Sequence, residues 1–327
     1  MKIFPLNLIP YDSKFDFMRL RWVSVAVFAL ITLASLGAMV VNTFPGGGFD
    51  SAKTFNYALD FTGGTVTELR FARPVDVDDV RKRLDAAGYE NPQVQTFGSG
   101  NDLLVRLQPK TGGGPSNRTA DDVLRAASTA DNPATVMRSD FVGPQIGKEL
   151  AENGLYALLF VVVGFGLYIS FRFEWKFAAA AIATTLSDVV IVAGWFAVTG
   201  HEFDLTVLAG ILSVLGYSIN DKIVVFDRVR ENFRAMRAAP REVLNRSINQ
   251  TLSRTIIVSF VAFLTVFALY LYGGGSLQGM AESQMIGIVI GTLSSIFVAC
   301  PLLLWLGVSK QDLMPKARDE AALARRP

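Results

Sequence analysis

The chain has 327 residues, of which 51% are apolar and 18% charged, whereas ordinary soluble domains carry about a quarter charged residues. Its 31 Lys and Arg against 29 Asp and Glu leave a formal net charge of +2, too small for a global basic field that would recruit nucleic acid. The single cysteine, Cys300, and single histidine, His201, exclude a disulfide framework and a Cys/His zinc site, so no metal or other cofactor is expected.

Residues 1–22 form a short N-terminal segment with Lys14, Arg19 and Arg21 ahead of a first apolar block, Val23 to Val41. A bilayer core of about 30 Å needs about 20 helical residues. This block meets that length and has no Ala-x-Ala cleavage site after it, so it reads as a retained anchor rather than a signal peptide.

Residues 42–153 read as a folded domain. Thr65 to Phe71 alternates like a strand, Val75 to Ala87 has helical spacing ending at Gly88, and Pro92 to Phe97 is again strand-like. Gly98 to Asn101 predicts a turn into a strand over Leu103 to Leu107. A linker at Gly112 to Gly114 leads to Thr119, which caps a helix Ala120 to Ala130, and a last strand runs from Ala134 to Phe141. This β-α-β-β-α-β order predicts a ferredoxin-like α+β sandwich.

Five further blocks are long enough to span: Gly154 to Phe171, Phe177 to Thr199, Leu205 to Phe226, Ser253 to Tyr272 and Met285 to Val308, followed by a basic tail over 309–327. In lipid such blocks must be helices, because every backbone amide needs a partner within its own segment. The fold class is therefore an α-helical polytopic membrane protein of six spans with one α+β domain between the first two. Arg172 and Lys176, then Arg228, Arg230, Arg234, Arg237, Arg241 and Arg246, then Lys310, Lys316, Arg318, Arg325 and Arg326 alternate with turns at His201 to Asp204 and Gly273 to Glu282 that hold no Lys or Arg. The positive-inside rule then puts both termini in the cytoplasm and the domain outside.

An ionisable group inside a span costs about 2.5 to 3.5 kcal/mol on insertion scales, so each is a functional candidate. Asp221 lies five residues from the inner end of the fourth block. Helical phase aligns Gly210, Ser213, Tyr217 and Asp221, with Gly216 and Asn220 beside them, a small and polar stripe that faces other helices or water. A carboxylate in so dry a setting is suited to load and release protons near neutrality; the alternative is a helix-end acid bonded to a hydroxyl or to Lys222. Arg254 opens the fifth span at nearly the depth of Asp221, where it either pairs with that acid or snorkels to headgroups. Asp188 sits mid-span in the third block with Thr184 and Thr185 one turn back, as a relay group or a structural hydrogen-bond partner. Gly287 and Gly291 form a GxxxG pair suited to close helix approach. Cys300 reads as a small apolar residue and His201 as a turn residue. The basic stretch Arg228 to Arg246 reads as a loop that carries the positive-inside signal and a solvated face, and that could also meet an acidic partner or ribosomal RNA. No Walker loop is present, so nucleotide hydrolysis is not the energy source.

Five stretches together resemble the SecF family, the smaller membrane subunit of the bacterial SecD–SecF protein-export complex within the resistance-nodulation-division (RND) superfamily: Phe15 to Arg19, Leu59 to Thr65 (LDFTGGT), Val142 to Leu150, Phe171 to Lys176, and Gly216 to Asn232 (GYSINDKIVVFDRVREN). The resemblance implies six spans pairing with six in SecD, and a protein of the inner membrane that acts in proton-driven preprotein export without enzyme activity. It further implies partnership with SecD, the SecYEG channel, YajC, the membrane insertase and unfolded preproteins. The family's membrane acid falls on Asp221 and its fifth-span arginine on Arg254. Lys222 departs from the pattern, where an uncharged residue is expected. A cation there bears on the ionisation of Asp221 unless the turn of about 100° per residue sends it to the headgroups. Gly63 and Gly64 read as a backbone device that admits positive φ, and Asp60 as a link between domain and spans. Two other classes remain, an RND-type small-molecule exporter half and a structural scaffold of the translocon.

Overall fold

A computed structural model describes residues 15–44, 53–89, 92–97, 101–107 and 117–310; the expected turn at Gly98, the linker at Gly112 to Gly114 and the basic tail beyond Lys310 lie outside these residues. In chain order the elements are α1 (Arg21–Thr43), β1 (Asn56–Tyr57), α2 (Leu59–Thr62), β2 (Gly64–Phe71), α3 (Val77–Ala86), β3 (Gln93–Phe97), β4 (Asp102–Leu107), α4 (Asn117–Ala127), β5 (Ala134–Val142), α5 (Pro144–Arg172), α6 (Trp175–Thr199), β6 (Glu202–Phe203), α7 (Leu205–Ala235), α8 (Pro240–Tyr272), α9 (Gly275–Phe297) and α10 (Ala299–Trp305). Among the described residues, six helical segments are long and apolar enough to cross a membrane, and the protein is a multi-pass membrane protein.

The domain forms a four-stranded antiparallel sheet in the order β3-β4-β2-β5. Alternation sets its faces. Leu69, Phe71, Leu103, Val105 and Leu107 pack with Val80 and Leu84 of α3 and Val123 and Ala127 of α4. The opposite face, carrying Val66, Glu68, Leu104, Arg106, Arg138 and Asp140, overhangs the near ends of the membrane helices across a cleft of about 720 Å³.

Within the membrane, α7 is the central helix. Its most extensive pairing is with α9, and it also meets α5, α6 and α8. Glycines make the α7–α9 contact close: a Cβ on Gly287 would overlap the Val214 side chain, and one on Gly291 would lie 3.1 Å from Ser218 Oγ. Similarly, Gly194 of α6 leaves room for Ser35 of α1.

Three sequence expectations change. The basic stretch after the fourth span is not a loop: α7 continues to Ala235 and α8 starts at Pro240, a residue whose fixed φ suits the first helical position. Residues 201–204 are more than a turn, because β6 pairs in parallel with β1 (Asn56 with Glu202, Tyr57 with Phe203) and joins the domain to the helices. The sixth span is also interrupted, with a break at Val298 (φ −122°, ψ −44°) between α9 and α10. Pro301 explains this break, since a proline removes the bond to the carbonyl four residues earlier and its ring crowds that carbonyl. The carbonyl concerned is that of Phe297, and it accepts a hydrogen bond from Ser24 Oγ of α1 at 2.9 Å, as a backbone group in lipid requires.

Candidate functional site in the membrane core

Asp221 stands on the side of α7 that meets α8. Thr255 Oγ1 donates to Asp221 Oδ1 at 2.8 Å. Asp221 Oδ2 is buried and makes no well-formed hydrogen bond among the described residues; the nearby Ser295 hydroxyl donates to the Gly291 carbonyl, 2.8 Å away. One turn toward the sheet domain, Tyr217 Oη donates to Ser259 Oγ at 2.6 Å, and Thr292 Oγ1 of α9 reaches the same hydroxyl at 2.7 Å. The chain thus holds a half-satisfied carboxylate at one end of a row of hydroxyls.

Arg254 does not pair with Asp221. Its neighbour Thr255 takes that place, and the exposed Arg254 lies beside the site at the same depth. Ser213 and Asn220, seven residues apart on α7, are also exposed, and Gly216 between them has open space where a Cβ would be. Ser213, Gly216 and Asn220 therefore face out of the isolated chain, whereas Gly210 is buried against Ser283 of α9 and Tyr217 and Asp221 turn to α8.

Lys222, for which the sequence left open an influence on Asp221 or an outward turn to the headgroups, is fully buried, on a different side of α7 from Asp221. Its Nζ donates to Asp188 Oδ2 at 2.7 Å, and both side chains are 0% exposed. Ser218 Oγ and Ser294 Oγ donate to that same oxygen at 2.5 and 3.0 Å, and Ser218 also bonds Lys222 Nζ. Asp188 is accordingly one half of a buried ion pair linking α6, α7 and α9. Thr184 hydrogen-bonds the Ala180 carbonyl, while Thr185 Oγ1 and Asp188 Oδ1 are buried and make no hydrogen bond among the described residues.

Sequence reasoning missed Thr255, Ser218, Ser294 and the role of Lys222. Signals for them existed. Ser218 and Lys222 are four apart, as are Thr251, Thr255 and Ser259, and residues four apart share a helix face. A lysine in an apolar span also demands a counter-charge, and Asp188 is the mid-span acid able to supply it.

At the junction with the sheet domain, Gly63 and Gly64 have φ of 71° and 129°, values open to glycine and strained for residues with a Cβ. They turn the chain from α2 into β2. Gly147 of α5 lies against that turn, where a Cβ would come within 2.9 Å of the Phe61 carbonyl oxygen. Asp60 Oδ2 accepts from the Leu205 amide at 3.1 Å, so a domain carboxylate caps the start of α7 alongside its own N-cap, Asp204, which accepts from the Val207 amide at 2.7 Å. Phe55, Tyr57, Phe61, Phe196 and Phe203 cluster around this junction, and Arg106 forms an ion pair with Glu202. Burial pushes the Glu202 carboxyl above the usual range, with Arg106 opposing the shift. His201 Nδ1 lies 2.7 Å from Glu282 Oε1.

Two family models match the chain. One, described as protein export membrane protein SecD/SecF, C-terminal, covers residues 123–309; the other, the SecD/SecF GG motif, covers residues 51–75. Among curated relatives, the protein translocase subunit SecF of Pseudomonas aeruginosa is 42% identical over 93% of this chain and 95% of its own. The SecDF subunit of Brucella abortus is 36% identical over 98% of this chain and 41% of its own. A crystal structure of SecDF, a translocon-associated membrane protein from Thermus thermophilus, superposes with a TM-score of 0.79 at 36% identity over 90% of this chain. The chain spans about two-fifths of these fused SecDF polypeptides: 41% of the Brucella protein and 39% of the Thermus one.

Proposed function

Because the chain belongs to the SecF family of Sec translocase accessory subunits, we propose that it works with a SecD-type partner and that proton passage at Asp221 moves its outer domain. The observation that carries this reading is the state of Asp221, a membrane carboxylate with one oxygen bound to Thr255 and the other buried without a hydrogen bond among the described residues. A group so placed is readily rearranged when its charge is gained or lost.

The partner is argued from the exposed polar stripe. Ser213, Asn220 and Arg254 are exposed at membrane depth, and polar side chains there are covered by protein or a water-filled path, not by lipid. Relatives in which SecD and SecF are one polypeptide support a SecD half as the cover. Arg254 is then the cation across which a proton arriving at Asp221 is exchanged.

Movement reaches the domain through α7. From Leu205, bonded to Asp60, to Asp221 is 16 residues, or about 24 Å of continuous helix at 1.5 Å per residue. A tilt of α7 is transmitted to the GG turn and the sheet through Asp60, the β1–β6 pairing and the Arg106–Glu202 pair. One proton falling through 100 mV contributes about 2.3 kcal/mol, so many small cycles, not a single stroke, draw an unfolded preprotein from the SecYEG channel. In this reading the Lys and Arg pattern puts both termini in the cytoplasm of a bacterial inner-membrane protein, with the domain outside.

Replacing Asp221 by Asn tests the reading against the scaffold alternative. A proton-driven subunit loses secretion of a reporter preprotein while still co-purifying with its SecD partner; a scaffold retains full secretion.

A further inference from the structure

Lys222 is adjacent to Asp221 in sequence, yet its ammonium is held on the α6 and α9 side of α7, whereas Asp221 is bonded on the α8 side. We infer that Asp188 is a positioning residue for the Asp221 site: by binding the Lys222 ammonium it keeps a second cation off a carboxylate whose charge must change. This inference rests on the proton-coupled reading above.

A buried lysine without a counter-charge either gives up its proton or turns to another acceptor, and Lys222 finds its counter-charge in Asp188 Oδ2, at 2.7 Å. Ser218 and Ser294 donate to the same oxygen. Gly291 leaves the space that Ser218 occupies, since a Cβ there would crowd its hydroxyl at 3.1 Å. Four residues on three helices thus serve one ammonium. Without Asp188, the flexible four-carbon stem is free to turn its strongly hydrated head toward another acceptor. The adjacent residue offers one, the buried and unbonded Asp221 Oδ2. The charged or titratable groups facing Asp221 are Lys222 and Tyr217 from α7 and Arg254 from α8. The α9 segment 285–297 contains no titratable side chain and presents the hydroxyls of Thr292 and Ser295. Lys222 and Arg254 both act on Asp221 from a distance, so bringing the Lys222 ammonium into contact with the carboxylate would hold Asp221 ionised and require a more acidic exterior for each proton to load.

The test measures secretion of a reporter preprotein as a function of external pH, using the complete chain assembled with its SecD partner. The Asp188→Asn variant is expected to shift the pH profile toward acid by about one unit or more. The double variant Asp188→Asn/Lys222→Thr, which removes the stray cation, is expected to restore the original profile. A lowered amplitude with an unmoved profile in Asp188→Asn overturns the inference, because a purely structural ion pair behaves so. Loss of secretion in the double variant also overturns it, because the pair would then itself carry the reaction. Should Asp188→Asn fail to accumulate, Ser218→Ala/Ser294→Ala loosens the same clamp with both charges present and must move the profile in the same direction; an unmoved profile there overturns the inference. Normal secretion by Asp221→Asn overturns the proton reading instead, whereas an inactive Asp221→Asn beside an unshifted Asp188→Asn overturns only this one.

Discussion

Thr255 Oγ1 donates to Asp221 Oδ1 at 2.8 Å, and this one bond ties α7 to α8 at the depth where the acid is buried. Hydrogen bonds to charged groups contribute about 1.5–3 kcal/mol. Thr255→Ala is therefore expected to reduce preprotein secretion several-fold, while Thr255→Ser, which keeps the hydroxyl, stays near the parent level. Equal secretion by the two variants would show that the bond has no part in the function.

The Asp60 carboxylate on the Leu205 amide acts as an N-cap supplied from another part of the chain. Removing a capping side chain costs about 1 kcal/mol. Asp60→Ala should lower the thermal midpoint of the purified protein and quicken hydrogen exchange at the first turn of α7, while Asp60→Asn, which still offers an acceptor oxygen, should do neither. Unchanged exchange at Leu205 in Asp60→Ala would disprove the link.

Gly287 faces Val214 so closely that an added methyl has no room. Overpacking typically costs about 1–3 kcal/mol, so Gly287→Ala should reduce the yield of folded protein, and shortening its neighbour in Gly287→Ala/Val214→Ala should recover part of it. An unaffected single variant would mean that the helices separate freely along this seam.

Glu202 supplies a pH dependence. Its carboxyl titrates above the usual range because burial disfavours the ion, with Arg106 pulling the other way. A carboxyl whose folded value is raised binds more protons in the folded state than in the unfolded one, so its contribution is fully present below the unfolded value. It is lost as pH rises through the folded one. The difference in thermal midpoint between the parent and Glu202→Gln should accordingly shrink or turn negative from acid to neutral pH. A difference that grows with pH would mean that the ion pair with Arg106 outweighs burial.

The six-span architecture was legible because long apolar blocks have one solution in lipid, and the order of strands and helices in the domain followed from turn residues and alternation. Helix ends were less legible. The run Arg228 to Arg246 looked like a loop because charge marks the exit from lipid, but a helix continues past that exit wherever its backbone bonds are satisfied by water-exposed turns. The break at Val298 was foreshadowed by Pro301, a residue four positions beyond the freed carbonyl.

Charge inside an apolar span selected Asp221 and Asp188, and helical phase the stripe of Ser213, Tyr217 and Asn220, since charge, depth and period are properties of a single helix. Which groups meet across helices is a property of packing. Two positions on one helix can be 100° apart and serve different neighbours, and so tertiary structure alone gave Asp221 to Thr255, left Arg254 at the open face, and joined Lys222 to Asp188. Sequence by itself determined that charge is retained within the apolar layer, because hydrophobicity and spacing are local. The assignment of partners required the three-dimensional arrangement, because hydrogen bonds and ion pairs act over about 3 Å between residues dozens of positions apart.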